Sequence, residues 1–451
     1  MSAGGAGTRA RIAVVGAGPA GLVTAIHLAR RGHSVTVIDR AVALAGPMGE
    51  QLSAQGAREL VRLDSRLSAA RFGAPCPSIH SAWGELELRV RDDLFGVWGP
   101  SCIVDRRALE CVLAEVAHDC GVALVLGERL QRIECTAGAV SLTLDSGRSL
   151  SVAFVIDATG RSASVARQLG ARLLRCDSLI ALQGRLARTM HTDAEPPRAV
   201  LVESTPSGWW YSAPAQDGSL VAMFFTDSAL LQSTGADTVW RAALTASRHT
   251  RNRTRDYDAR DAIQVRPACS QRLDRAAGDR WLAVGDAAMA WDPLSSSGLT
   301  NAILEAGHAA ATVEATLAGD RDAACAAYVD RVRRTFAHYL VTRARIYGSV
   351  EQPVDAAFWQ CRRQPAALTA PIHLHPNTFL ALGRAPEAPQ MLAPGLTSAT
   401  VLSAIGRGAS ARAVMSALRE RTGDAYLGEE LVGALQNLVS TGSVTATRET
   451  S

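Results

Sequence analysis

The stretch from Arg11 to Asp39 leaves this chain little choice of fold. A short apolar run rich in β-branched residues, Arg11 to Val15, leads into Gly16-Ala17-Gly18-Pro19-Ala20-Gly21, and a helical pattern follows from Leu22 to Arg31. Gly32 closes that helix, and Ser34 to Asp39 reads as a second buried strand. In a strand, turn, helix, strand unit of this kind the first glycine permits the tight turn. The second lets the backbone approach a pyrophosphate, and the third lets helix and strand pack closely. Phosphates rest on the helix N-terminus, where unpaired N–H groups and the helix dipole favour negative charge. Gly16, Gly18, Pro19, Ala20 and Gly21 are therefore candidate cofactor contacts, as are Asp39 and its neighbour Arg40 at the end of the second strand. Asp39 is placed to accept hydrogen bonds from ribose hydroxyls, so the unit predicts a bound dinucleotide.

Two later segments select FAD over NAD. Val155 to Gly160 reads as a strand running into a turn beside the dinucleotide, and Trp281 to Ala288 as a strand ending in Gly285-Asp286 before a small-residue turn. Gly285 allows close approach, and Asp286 can bind the ribitol hydroxyls of an extended cofactor. The next segment, Trp291 to Asn301, is a loop opening a helix. Around Pro293, Ser297, Gly298 and Leu299 its N–H groups can face the pyrimidine edge of a flavin and stabilise the anionic reduced ring.

The remainder of the 451 residues exceeds the usual size of one domain. An α/β (mixed α+β) architecture is expected. A Rossmann-like FAD-binding domain takes residues 1–75, 103–173 and 266–365, interleaved with a substrate-binding β-sheet domain of residues 76–102 and 174–265. Pro386, Pro389 and Pro394 mark a linker over 366–395. Helical patterns at Ala411 to Arg421 and Gly428 to Ser440 make 396–451 a small helical or winged-helix-like appendage.

Composition excludes several functions. With 47% apolar and 20% charged residues and no apolar stretch long enough for a bilayer, the chain reads as a soluble enzyme without membrane partners. Met1 to Arg11 leaves no room for a signal peptide, which places the protein in the cytoplasm. All 47 basic residues are arginine, so no mechanism here can use a lysine. A net charge of +4 does not argue for nucleic acid. The arginines between Arg241 and Arg280 alternate with aspartates and read as a solvated face, with a docking surface for an acidic partner as the alternative. Nine scattered cysteines without a CxxC pair read as buried free thiols, and His373 and His375 lack partners for a metal, so none is expected.

The order of these motifs, over residues 11 to 365, resembles the FAD-dependent monooxygenase and tryptophan-halogenase-like superfamily, which includes the group A aromatic hydroxylases. The resemblance implies that Arg106, in Arg106-x-x-Leu109-Glu110-x-x-Leu113, contacts FAD. Gly208-Trp209-Trp210-Tyr211-Ser212-Ala213-Pro214 resembles the halogenase WxWxIP motif, with Tyr211 and Ala213 as departures. The halogenases' catalytic lysine is missing, and Ser295 stands where they carry a loop glutamate, so halogenation is disfavoured.

A nearer resemblance is to the flavoprotein monooxygenases that hydroxylate a peptidyl tryptophan during cysteine tryptophylquinone (CTQ) biogenesis. It rests on Gly49-Glu50-Gln51-Leu52, Gly208 to Pro214, Phe224-Phe225-Thr226-Asp227 and Phe358 to Arg363. It implies oxygen insertion into an electron-rich indole through a flavin C4a-hydroperoxide, with the protein excluding water and aiming the ring. The partner would be a tryptophan-bearing polypeptide and the co-substrate O2. Reducing power would come from NAD(P)H directly or from a separate flavin reductase, because Ala158-Thr159-Gly160 replaces the Asp-Gly turn of the hydroxylases. Candidate catalytic residues are Glu50, as base or proton relay, with Trp210, Tyr211 and Ser296, and Trp83, Trp209 and Trp291 are candidates for the apolar lining. Two other readings stay open: a hydroxylase of small aromatic molecules, and an assembly factor in which FAD is structural.

Overall fold

The computed structural model describes residues 10–44, 48–92, 99–136, 138–189, 197–231, 234–350, 356–363, 378–382, 391–393, 396–406, 408–422, 435, 438 and 444–448. They fall into two compact units, one of residues 1–173 and 177–365, the other of 174–176 and 366–451.

The first unit is organised by a six-stranded sheet in the order Ala277–Gly278, Trp281–Ala283, Phe154–Asp157, Arg11–Val15, Ser34–Asp39, Ala123–Leu126. Every neighbouring pair from Trp281–Ala283 to Ala123–Leu126 is parallel. Parallel strands are covered on both faces, which is why they read as near-continuous apolar runs. Arg11–Val15 lies between the strand that follows it and the distant Phe154–Asp157, so the chain reverses its winding direction at its C-terminal end. Such a switch point opens a crevice in which α/β sheets bind ligands.

The helix expected from Leu22 begins three residues earlier, at Pro19. Proline suits the first helical turn because its φ is preset and its missing N–H would have no partner there. The glycines of the turn are enforced by contact: a Cβ on Gly16 (φ +114°) would stand 2.2 Å from the Ala158 carbonyl oxygen, and one on Gly21 2.0 Å from that of Gly16. The segment from Ser149 to Asp157 divides at Ala153. Ser149–Val152 joins an antiparallel three-stranded sheet, and Phe154–Asp157 joins the nucleotide sheet.

The second layer of this unit is an eight-stranded sheet. Its order is Tyr257–Ala259, Leu179–Arg188, Leu220–Asp227, Gly208–Pro214, Val200–Thr205, Ser78–Ala82, Arg89–Asp92, with Gln264–Pro267 also paired to Leu179–Arg188. It therefore runs slightly beyond the boundary expected at 265. Alternation along Gly208–Pro214 sends Trp209 and Tyr211 into a core shared with Phe225, Tyr347, Phe358 and Trp359. Trp210 goes to the opposite face, into a separate core with Phe224 and Trp240. Two helices, Gly298–Leu317 and Arg321–Gly348, follow the flavin-loop segment.

In the second unit, helices Ser398–Ile405 and Ala411–Thr422 pack with a three-stranded antiparallel sheet around Leu380, Val401, Ile405, Val414 and Leu418. The central strand, Thr378–Leu382, lies within the segment expected to be a linker and pairs with Val444–Arg448. The helix expected over 428–440 lies outside the described residues, apart from the buried Leu435 and Leu438. Among the described residues no helix is long and apolar enough to cross a membrane.

Candidate flavin site

A cavity of about 510 Å³ opens at the switch point. It gathers the glycine turn (Gly18, Pro19, Ala20), Glu50 and Gln51, Arg106, Asp286, the loop from Trp291 to Leu299, and Tyr211.

Asp39 holds the glycine turn from behind. Its carboxylate accepts the Ala17 N–H at 2.6 Å and the Ala41 N–H at 2.8 Å, while Arg40 beside it is exposed. Arg106 leads the helix Arg106–Asp119, whose N-cap Asp105 accepts the Ala108 N–H at 3.1 Å. Its guanidinium is mostly buried, pairs with Glu50 and, at 3.0 Å, with Glu110, and lies 4.0 Å from where a Cβ on Gly18 would stand. Burial works against the Arg106 charge, but Glu50 and Glu110 outweigh it and raise its pKa. A cation therefore stands permanently over the turn that would receive a pyrophosphate.

Gly285, at φ +60°, has room only for hydrogen: a Cβ would lie 2.7 Å from that of Ala20. Asp286 follows in the cavity wall, with Arg161 Nε 3.6 Å from its carboxylate; burial pushes its pKa up and Arg161 pulls it back. In the loop beyond Pro293, Ser296 is left-handed (φ +46°). That conformation costs a non-glycine residue roughly 1–2 kcal/mol and is retained where surrounding structure imposes it. Ser297 stands at the N-cap position of the following helix, and its hydroxyl donates back to the Ser295 carbonyl at 2.7 Å instead of capping a helix N–H. Nothing lies within 4 Å of a Cβ position on Gly298, so the first turn of a 20-residue helix meets open cavity. Its N–H groups and dipole favour an electron-rich ring edge there.

Among the candidate catalytic residues, Glu50, Tyr211 and Ser296 line this cavity. The Tyr211 hydroxyl donates to the Gly49 carbonyl at 2.7 Å, and burial pushes its pKa up. Trp210 stands apart on the far face of the sheet, 0% exposed, because strand alternation separates it from its neighbours. Trp209, on the same sheet face as Tyr211, and Trp83 pack into the aromatic core with Phe225, their ring centroids 6.1 Å apart. Trp291 lines the cavity and stacks on Tyr339 at 4.7 Å.

Sequence reasoning missed two supports. Arg161 spans three segments, donating to the carbonyls of Cys269 (2.6 Å) and Trp291 (2.7 Å) while facing Asp286. Beneath the loop, Asp292 is 1% exposed and accepts three groups: the Leu294 N–H at 3.0 Å, Arg343 Nε at 3.1 Å and the Tyr347 hydroxyl at 2.8 Å. Trp209 Nε1 donates to Tyr347 at 3.0 Å, and Arg343 also pairs with Asp177. The Asp-Pro step at 292–293 was the available signal, since aspartate before such a turn commonly accepts its N–H groups.

A glycine cradle capped by a cation, a carboxylate for polyhydroxyl groups and a helix N-terminus beyond it fit the pyrophosphate, ribitol and pyrimidine edge of FAD in sequence. Trp291 Nε1, buried without a hydrogen-bond partner among the described residues, adds an unused donor in the wall. Fold and site define an FAD-dependent oxidoreductase.

The sequence profile described as FAD binding domain matches residues 9–344, and the chain belongs to that family. LodB of Marinomonas mediterranea, whose designation is that of an FAD-dependent oxidoreductase, is 26% identical over 367 residues, which cover 79% of this chain and 97% of LodB. Among solved structures, the flavin-dependent halogenase CmlS superimposes with a TM-score of 0.70 at 24% identity, covering 79% of this chain and 68% of its own. The peptidyl tryptophan dihydroxylase QhpG, essential for tryptophylquinone cofactor biogenesis, superimposes with a TM-score of 0.67 at 23% identity, covering 96% of this chain and 100% of its own. These likenesses establish the fold.

Proposed function

We propose that this enzyme hydroxylates a tryptophan side chain within a polypeptide, using FAD and O2, as a step in maturing a tryptophylquinone cofactor. The observation that carries the reading is the extent of the likeness to QhpG. At 96% of this chain it takes in most of the C-terminal unit, whereas the likeness to the halogenase takes in 79% of the chain. The residues agree: a chain without lysine, and with Ser295 in the flavin loop, lacks the groups that the halogenase resemblance requires.

FAD held in this cavity and reduced by NAD(P)H or a partner reductase would supply the chemistry that activates O2. Arg106, over the glycine turn, would hold the pyrophosphate of FAD. The first turn of Gly298–Leu317 supports negative charge on the pyrimidine edge. Tyr211, Phe225 and Trp291 wall the cavity with aromatic surface that excludes water and aligns an indole. Glu50, held by Arg106 in the cavity wall, would take the proton that the ring carbon loses on oxygenation.

The test supplies holoenzyme with a reductant, O2 and tryptophan-bearing polypeptides. The polypeptide is expected to gain the mass of one or two oxygen atoms. Bromination in the presence of bromide, or turnover of free indoles with polypeptides untouched, overturns the reading.

A further inference from the structure

The floor of the cavity is a sheet face whose edge strand, among the described residues, is unpaired on one side. Two cross-strand rows build it. One runs Arg266, Ala181, Phe225, Trp209, the other Gln264, Gln183, Met223, Tyr211. Both rows begin on Gln264–Pro267, a strand that among the described residues pairs only with Leu179–Arg188 and is exposed at all four residues. Val265, Arg266 and Pro267 also line the cavity, so this edge is its rim.

The register fixes which backbone groups face outward. The Ala268 N–H donates to the Leu179 carbonyl at 3.0 Å, and in an antiparallel pair hydrogen-bonded residues alternate with non-bonded ones. Arg266, opposite Ala181, and Gln264, opposite Gln183, therefore turn their backbone groups inward. Val265 and Pro267 turn theirs outward. A proline is tolerated there because its missing N–H was not needed in the sheet. The Val265 N–H and C=O are left as a pairing edge at the mouth of the site.

Arg266 adds a charge to that edge. Among the described residues no carboxylate pairs with it, and its guanidinium contacts the neutral Gln264 amide at 2.6 Å. The other arginines of the cavity wall are engaged: Arg106 by Glu50 and Glu110, Arg161 by two carbonyls and Asp286. A lone arginine on an edge strand guards against pairing with a second copy of the same surface. An incoming strand that carries a carboxylate removes that guard.

We infer that the substrate polypeptide docks as an added β-strand along Gln264–Pro267, with an acidic side chain against Arg266. The inference rests on the polypeptide reading above and specifies how the chain is held. Strand addition takes affinity from main-chain hydrogen bonds and specificity from alternate side chains. A residue of the added strand opposite Arg266 or Gln264 extends one of the two rows, which puts its side chain on the cavity face. The residues between point to the other face.

The experiment uses oxidised holoenzyme and fluorescein-labelled short peptides, each with one tryptophan and either a glutamate or a glutamine two residues from it. Binding is read by fluorescence anisotropy and modification separately by peptide mass after reduction under O2. Val265→Pro removes the outward N–H without touching the internal ladder, whereas Val265→Thr keeps it. The glutamate peptides are expected to bind the native enzyme about tenfold more tightly than the glutamine peptides, and Val265→Pro to weaken binding by about the same factor. Val265→Thr is expected to bind normally, and Arg266→Gln to abolish the preference for glutamate. Flavin absorbance of each variant reports that the cofactor site is intact. Absence of peptide binding, or equal binding by native enzyme and Val265→Pro, overturns the inference. Edge-dependent binding without a mass change overturns the hydroxylation reading and leaves the docking edge standing.

Discussion

Replacing Asp292 by asparagine tests whether the flavin loop is held from below by the buried ion network. The side chain keeps its size, and its remaining carbonyl oxygen can still accept the Leu294 N–H. Its new amide presents N–H donors to Arg343 Nε and the Tyr347 hydroxyl, which are donors themselves. Removing one partner of a buried ion pair costs about 3–5 kcal/mol, most of it the uncompensated charge left behind. Arg343 is 3% exposed but retains Asp177, so about 3 kcal/mol is expected. Urea unfolding of the apoprotein measures this cost, and quenching of flavin fluorescence measures FAD affinity, expected to fall because the loop loses its anchor. Arg343→Met closes a double-mutant cycle in which the two substitutions fall short of additivity by at least about 1 kcal/mol. Tyr347→Phe, which removes a donor to Asp292 and an acceptor for Trp209, is expected to cost about 1 kcal/mol. A D292N protein within about 1 kcal/mol of the native one, with unchanged FAD affinity, refutes the assignment of this network as the support of the loop.

Three further outcomes follow from other parts of the molecule. Gly16→Ala drives a Cβ to 2.2 Å from a carbonyl oxygen and should abolish FAD binding, whereas Gly32→Ala, with nothing within 4 Å, should cost only the roughly 1 kcal/mol of its left-handed backbone; FAD titration and thermal melts separate the two. Burial, then Arg31 and Arg30, lowers the His27 pKa from 6.5 to about 4. The unfolded chain thus takes up a proton that the folded one refuses, so stability present above pH 6.5 is lost as the pH falls to about 4, by at most about 3 kcal/mol. His27→Gln should flatten apoprotein stability over that interval, and identical pH profiles for the two proteins would contradict the argument. Trp210→Phe should lower stability by about 1–3 kcal/mol through lost core volume while leaving FAD affinity and turnover intact. Tyr211→Phe, which frees the Gly49 carbonyl in the cavity wall, should change kcat or KM more than stability, and the reverse pattern in steady-state kinetics would count against this division of the strand.

Local rules made the cofactor half of the site legible before any coordinates. Glycine turns, strand ends and helix starts are encoded by neighbours in the chain, and Gly16, Gly285 and the turn before Gly298 carry their constraints in contacts that only glycine or a tight turn can satisfy. The substrate half depends on which face of a sheet a residue meets. Trp209, Trp210 and Tyr211 are adjacent letters, and only the pairing of Gly208–Pro214 with Leu220–Asp227 decides that the middle one leaves the cavity. Asp292 and Arg343 are 51 positions apart and meet only when the long helix Arg321–Gly348 reaches the flavin loop. A charged arginine in a helix reads as solvated until its partners are known, so neither residue announces the pair. The same dependence on register brings Arg266 into view. Along the chain it is one of many arginines in a basic stretch, yet its cross-strand partner Ala181 places it in the row that reaches Phe225 and the cavity floor. The glycine turn and the loop before Gly298 are thus written in consecutive residues, whereas the floor of the cavity is written across strands, where a one-residue slip would exchange the cavity face for the buried one.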